Sequence, residues 1–212
     1  MIPDSPNIIN VTSSNNNGNI TIKSSQSYYG IPFYANQFYD EKEYNKFIKS
    51  VEKLVRQSTE YSAYLGHLKK LGLDKCSFLN NIHDDIATIE FHHYPFTLYD
   101  IVNIVTAYRF MNKKLVSTFL VAQEVINLHF QNKIGLIPLS KTVHKLFHSG
   151  ELFININMVY GYVDDFVNYY KDAIPVDLAL KYNEILEMSK NNVEYSDKDI
   201  LKYNYPKDKD DK

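Results

Sequence analysis

The chain has 212 residues, a formal charge of −2, a pI near 6.4 and 44% hydrophobic residues, among them 18 Tyr and 12 Phe. That is apolar material for one sizeable core. The charge excludes a protein that coats nucleic acid through a global basic field, so any grip on phosphates is local. The single cysteine, Cys76, excludes an internal disulfide and a cysteine-rich zinc site, and no apolar run approaches the length of a membrane span.

Residues 1–39 read as an Asn- and Ser-rich arm in which NITIKSS alternates like an edge strand, followed by an aromatic strap from Tyr28 to Tyr39. The first residues lack the basic start and apolar run of a signal peptide, so a reducing, cytoplasmic compartment is expected. From Asp40 the pattern turns helical: Tyr44, Phe47, Ile48, Val51, Leu54 and Val55 recur at spacings of three and four. A continuation through Glu60–Leu71 stops at Gly72.

Asn and Asp pairs then mark turns, and Ile86–Phe91 reads as a strand ending on His92 and His93. Thr97 caps a helix over FTLYDIVNIVTAYRF, and a second helix covers Val116–Phe130. KIGLIPL (Lys133–Leu139) reads as a short buried strand, and Ser140 caps the helix KTVHKLFH before Gly150. ELFINI reads as a strand, Asp164–Tyr170 and Val176–Met188 as helices, and residues 196–212 as a charged tail. Residues 40–195 make one mainly helical domain.

Two features carry chemistry. His144 and His148 stand four apart on a helix, so their imidazoles lie one above the other on one face, a common way to chelate a divalent metal. A third ligand must come from elsewhere, and His92–His93 is the best supplier. Adjacent residues on a strand point to opposite faces, so the pair divides its labour: His92 inward, His93 toward water. Glu90 shares the face of His92 and is a candidate to orient an imidazole. Glu124 and His129 read as structural, His67 and His83 as structural or exposed, and Cys76 as a small buried residue.

IEFHHY and GLIPLSKTVHKLFHSG together resemble the two halves of an HNH nuclease motif, closest to the branch with His-His, His-x-x-x-His and no zinc cysteines. The resemblance covers Ile86–Phe91, His92–His93 and Gly135–Gly150. It implies an α+β, mostly helical fold with a small ββα-metal motif over 86–150, a helical insertion over 94–133, and surrounding helices. It further implies His92, His144 and His148 as ligands of one divalent ion (Mg, Mn, Ni or Zn), His93 as general base, and hydrolysis of DNA phosphodiester bonds. Lys141 and Lys145 would meet phosphates.

The chain departs from the motif in three places. Gly135 stands where the family has its middle Asn, with Asn132 nearby as a substitute. Ser140 and Val143 stand where many relatives place zinc cysteines. The insertion is longer than in many members. The overall texture also resembles bacteriophage proteins that carry this motif, which implies the host-cell cytoplasm. Two functions follow: an HNH-type endonuclease, or a non-catalytic phage interaction or assembly protein on a degenerate HNH scaffold. The second expects a protein partner or a homo-oligomer, and neither expects a membrane.

Overall fold

The computed structural model describes residues 9–13, 20–24, 40–79 and 81–191; the aromatic strap and the charged tail lie outside them. The fold is α+β and mostly helical, as expected, with seven α-helices and two small antiparallel sheets among the described residues. In the arm, β1 (Ile9–Ser13) pairs with β2 (Ile20–Ser24), Val11 opposite Ile22. The second sheet pairs β3 (Ile89–His93) with β4 (Leu136–Ser140).

Helix α1 (Glu41–Gln57) begins where the Asp40 carboxylate accepts the Glu43 amide at 2.8 Å, and it buries Tyr44, Ile48, Val51 and Val55. Ser58 ends it and caps α2 (Thr59–Leu68) by accepting the Tyr61 amide at 3.1 Å. A wide turn over Lys69–Leu73 then reverses the chain at Gly72, whose φ of 98° a side chain would resist. Helix α3 (Leu98–Met111) opens on a reciprocal capping box between Thr97 and Asp100. It buries Leu98, Ile101, Val102, Ile104, Val105, Thr106 and Ala107, a spread around its whole circumference that marks a central helix. Helix α4 (Thr118–Phe130), capped by Ser117, packs against α1, α2 and α3.

Polar side chains lock these helices in register. Tyr44 Oη donates to Asn103 at 2.6 Å and Tyr99 Oη to Asn45 at 2.5 Å, joining α1 to α3. Arg109 on α3 bonds to Glu124 on α4, and Tyr170 Oη donates to the other Glu124 oxygen at 2.8 Å. The residues between β3 and β4 therefore form the centre of the hydrophobic core. They are no appendage to a small sheet.

Helix α5 (Lys141–His148) follows β4 without a loop, because Ser140 both ends the strand and accepts the Val143 amide. Helices α6 (Val163–Tyr170) and α7 (Val176–Asn191) complete the fold.

Three expected strands differ, one of them β4, which runs over Leu136–Ser140 and not Lys133–Leu139. The first begins at Ile89 and not at Ile86, whose amide bonds the His83 carbonyl in a turn and whose side chain is 65% exposed. ELFINI is not a strand. The Asn155 side chain takes the Asn157 amide and donates to the Ser189 carbonyl, which turns the chain into a short 3-10 segment at Ile156–Met158. The extra pairing on β4 comes from Tyr160, which exchanges two 2.8 Å bonds with Leu136.

Gly135 has a steric explanation. A Cβ there would lie 2.0 Å from the Tyr94 carbonyl oxygen, 2.8 Å from Val163 and 2.9 Å from Val159. At this position the fold requires the close backbone approach that an asparagine would block.

Candidate metal centre

Strand alternation sorts β3 into two faces. Glu90 and His92 face α5. His93 faces α2 and α4. Strand β4 is buried throughout and fixes the register, with His92 opposite Ile137 and Ile89 opposite Ser140. That last pair brings the start of α5 beside the start of β3, so the helix runs over the Glu90 and His92 face. Val143 anchors α5 in the core, and the Phe147 ring meets His92 edge-on at 4.8 Å.

The three expected ligands meet. One ring nitrogen from each of His92, His144 and His148 lies within 4.8 Å of the other two. His92 Nδ1 is 2.9 Å from His144 Nε2, and His148 Nε2 is 3.0 Å from the same atom. Ligands of a tetrahedral ion at 2.0–2.1 Å stand about 3.3 Å apart, so small rotations fit these nitrogens to one ion. Glu90 Oε2 is 2.6 Å from His144 Nδ1, on the side of the ring away from the cluster. That contact makes Nδ1 the protonated nitrogen and leaves Nε2 as a bare lone pair.

Two imidazole nitrogens therefore crowd one lone pair. A cation would satisfy all three at once. Burial, followed by the charges His144 and His148 carry when protonated, holds His92 down to about 4, so it is neutral and able to ligate at physiological pH. Three imidazole ligands would suit zinc, nickel or cobalt better than magnesium, which prefers oxygen ligands. An ion held by these three would keep a fourth position open, and His148 is exposed.

His93 is the correction. It was expected to face water, and it is 5% exposed. Its Nε2 lies 3.0 Å from Nε2 of His129, and its ring stacks on Tyr61 at 6.2 Å. The Nδ1–H of His129 donates to the Val125 carbonyl at 2.8 Å, so His129 accepts at Nε2 and His93 donates. Burial foremost, then the His129 charge, pushes the His93 pKa well below its ordinary value, and burial brings His129 to about 4. The pair is a neutral core hydrogen bond, remote from solvent.

His129 follows Val121 and Val125 at spacings of four, and that apolar stripe was the signal for its burial. Lys141 and Lys145 are exposed on α5, and neither forms an ion pair among the described residues. Glu124 belongs to the Arg109 and Tyr170 network and not to the site.

No helix among the described residues is long and apolar enough to cross a membrane. No curated protein and no solved structure matches the chain. The family model that does match is of a bacteriophage virion protein and not of an HNH nuclease, which bears out the phage resemblance. Because the match runs over residues 3–211, the chain belongs to the bacteriophage G278-like virion protein family.

Proposed function

We propose that this protein is a non-catalytic structural or assembly component of the phage particle, in which His92, His144 and His148 hold one divalent transition-metal ion that fastens α5 to β3. The observation that carries the metal is the convergence of three ring nitrogens within 4.8 Å, with Glu90 fixing the tautomer of one of them. The virion family supports the structural role. So does the burial of His93, since a water-activating base must reach solvent. The ion would contribute bonds between two elements and would bring no chemistry that the chain's residues complete.

A second reading, metal-dependent phosphodiester hydrolysis, draws on the order β3, β4, α5 and the ligand set, which follow the ββα-metal arrangement. It would need a base other than His93.

The test is metal analysis of purified protein, thermal melting with and without chelator, and incubation with plasmid DNA across a metal series. The expected result is one zinc, nickel or cobalt ion per chain, a melting temperature roughly 5–15 °C lower after chelation, and intact plasmid. A protein that binds no metal and melts unchanged refutes the centre. Cleavage lost in His148→Ala but kept in His93→Phe refutes the non-catalytic role.

A further inference from the structure

We propose that the solvent face of α1 is a contact surface for the phosphate backbone of nucleic acid. Lys42, Lys46, Lys49, Lys53 and Arg56 follow one another at spacings of four, three, four and three. At 3.6 residues per turn they fall within an arc of about 80°, along roughly 21 Å of helix. All five are exposed, on the side opposite the buried stripe of Tyr44, Ile48, Val51 and Val55. The acids of the helix, Glu41, Glu43 and Glu52, stand about 80–100° from the midline of the ridge, with Glu52 about 40° from Arg56 at its edge.

Among the described residues the four lysines form no ion pair, and Arg56 meets Glu52 at 2.9 Å in an exposed pair that salt weakens. An ordinary solvated helix face gains support by alternating charge sign at spacings of three and four. Here the four successive pairs along the ridge repeat the sign, which costs the helix stability, and only Glu43, three before Lys46, and Glu52, three after Lys49 and four before Arg56, offset it. A polyanion would turn that repulsion into binding.

The chemistry separates the possible partners. A membrane-bound helix needs an apolar face to insert, and the apolar face of α1 is already in the core. A protein interface is centred on aromatic or aliphatic anchors, and the ridge has none. A phosphate backbone asks only for regularly spaced cations, and it is held by counterion release without base contacts. With an overall charge of −2, any such attraction acts through local groups of exposed cations.

The test is fluorescence anisotropy of the full chain with a short labelled DNA duplex, the same sequence single-stranded, polyglutamate, and anionic vesicles, between about 50 and 200 mM salt. The expected result is nucleic-acid binding whose log K falls with log salt at a slope of about −4. A variant carrying K42Q, K46Q, K49Q and K53Q should bind at least tenfold more weakly, with a slope near −1, while melting at or above the wild-type temperature. No binding to either DNA form, a wild-type slope retained by the variant, or tighter binding to polyglutamate or vesicles would each overturn the proposal.

Discussion

The His93–His129 hydrogen bond makes the core sensitive to acid, and His129→Gln isolates the effect. An unfolded histidine titrates near 6.5, whereas burial brings His129 to about 4 in the folded chain. A group whose folded pKa is depressed contributes stability that is complete above its unfolded pKa and is lost as pH falls toward the folded one. The window is therefore pH 6.5 to 4. At about 1.4 kcal/mol per unit, the wild type loses about 3 kcal/mol across it through this ring alone.

The substituted amide offers a carbonyl oxygen to the His93 N–H and does not titrate. The variant should therefore be less stable than wild type at pH 7.5, by about 1 kcal/mol for imperfect packing. It should also lose about 3 kcal/mol less on acidification. The assay is urea unfolding at half-unit pH steps, read as the difference between the two proteins so that carboxylate titration cancels. Equal losses in both proteins between pH 6.5 and 4 would show that His129 is not held neutral by burial, and the core assignment of the pair would fall with it.

Glu90→Gln should weaken metal binding by roughly 10–100-fold, because the amide no longer fixes the His144 tautomer as a carboxylate does; calorimetric titration with zinc measures it. The side chain is 37% exposed, so the melting temperature of the metal-free variant should stay near that of the metal-free wild type. Gly135→Ala should cost at least about 3 kcal/mol, since the new methyl meets the Tyr94 carbonyl oxygen at 2.0 Å and the strand pair must open. A chemical denaturation midpoint close to wild type would refute that close approach.

Elements with a cap and a long apolar period were readable in the sequence. Thr97 and Ser140 each announced a helix that the fold contains, because an orphan amide and a short polar side chain find each other locally, and the same pairing at Asp40 starts the helix whose apolar period was read. ELFINI was misread because its alternation matches a strand while its backbone partners are set by Ser189, far along the chain. The histidines that converge were legible as spacing, and Glu90 as a strand neighbour of His92. The orientation of β3 was not. Alternation says that His92 and His93 part company, but which face α5 covers depends on the Ile89–Ser140 register, a tertiary fact. The same blindness hid the partner of His93, since nothing local relates residue 93 to residue 129.

The ligands of the candidate centre come from opposite ends of the core's assembly. His92 and His144 are 52 positions apart, and the two helices between them carry the central apolar contacts. In the native fold the cluster is closed by the pairing of β4 with β3, on either side of the docked α3 and α4. Such a long closure is entropically expensive in an unfolded chain, and it is already complete in the native one. Metal affinity should therefore report the folding of the whole domain and not of a local finger. A metal-responsive dye competing for the ion would then follow assembly and disassembly of the entire core in a single signal, and a fragment ending before β4 should be invisible to it.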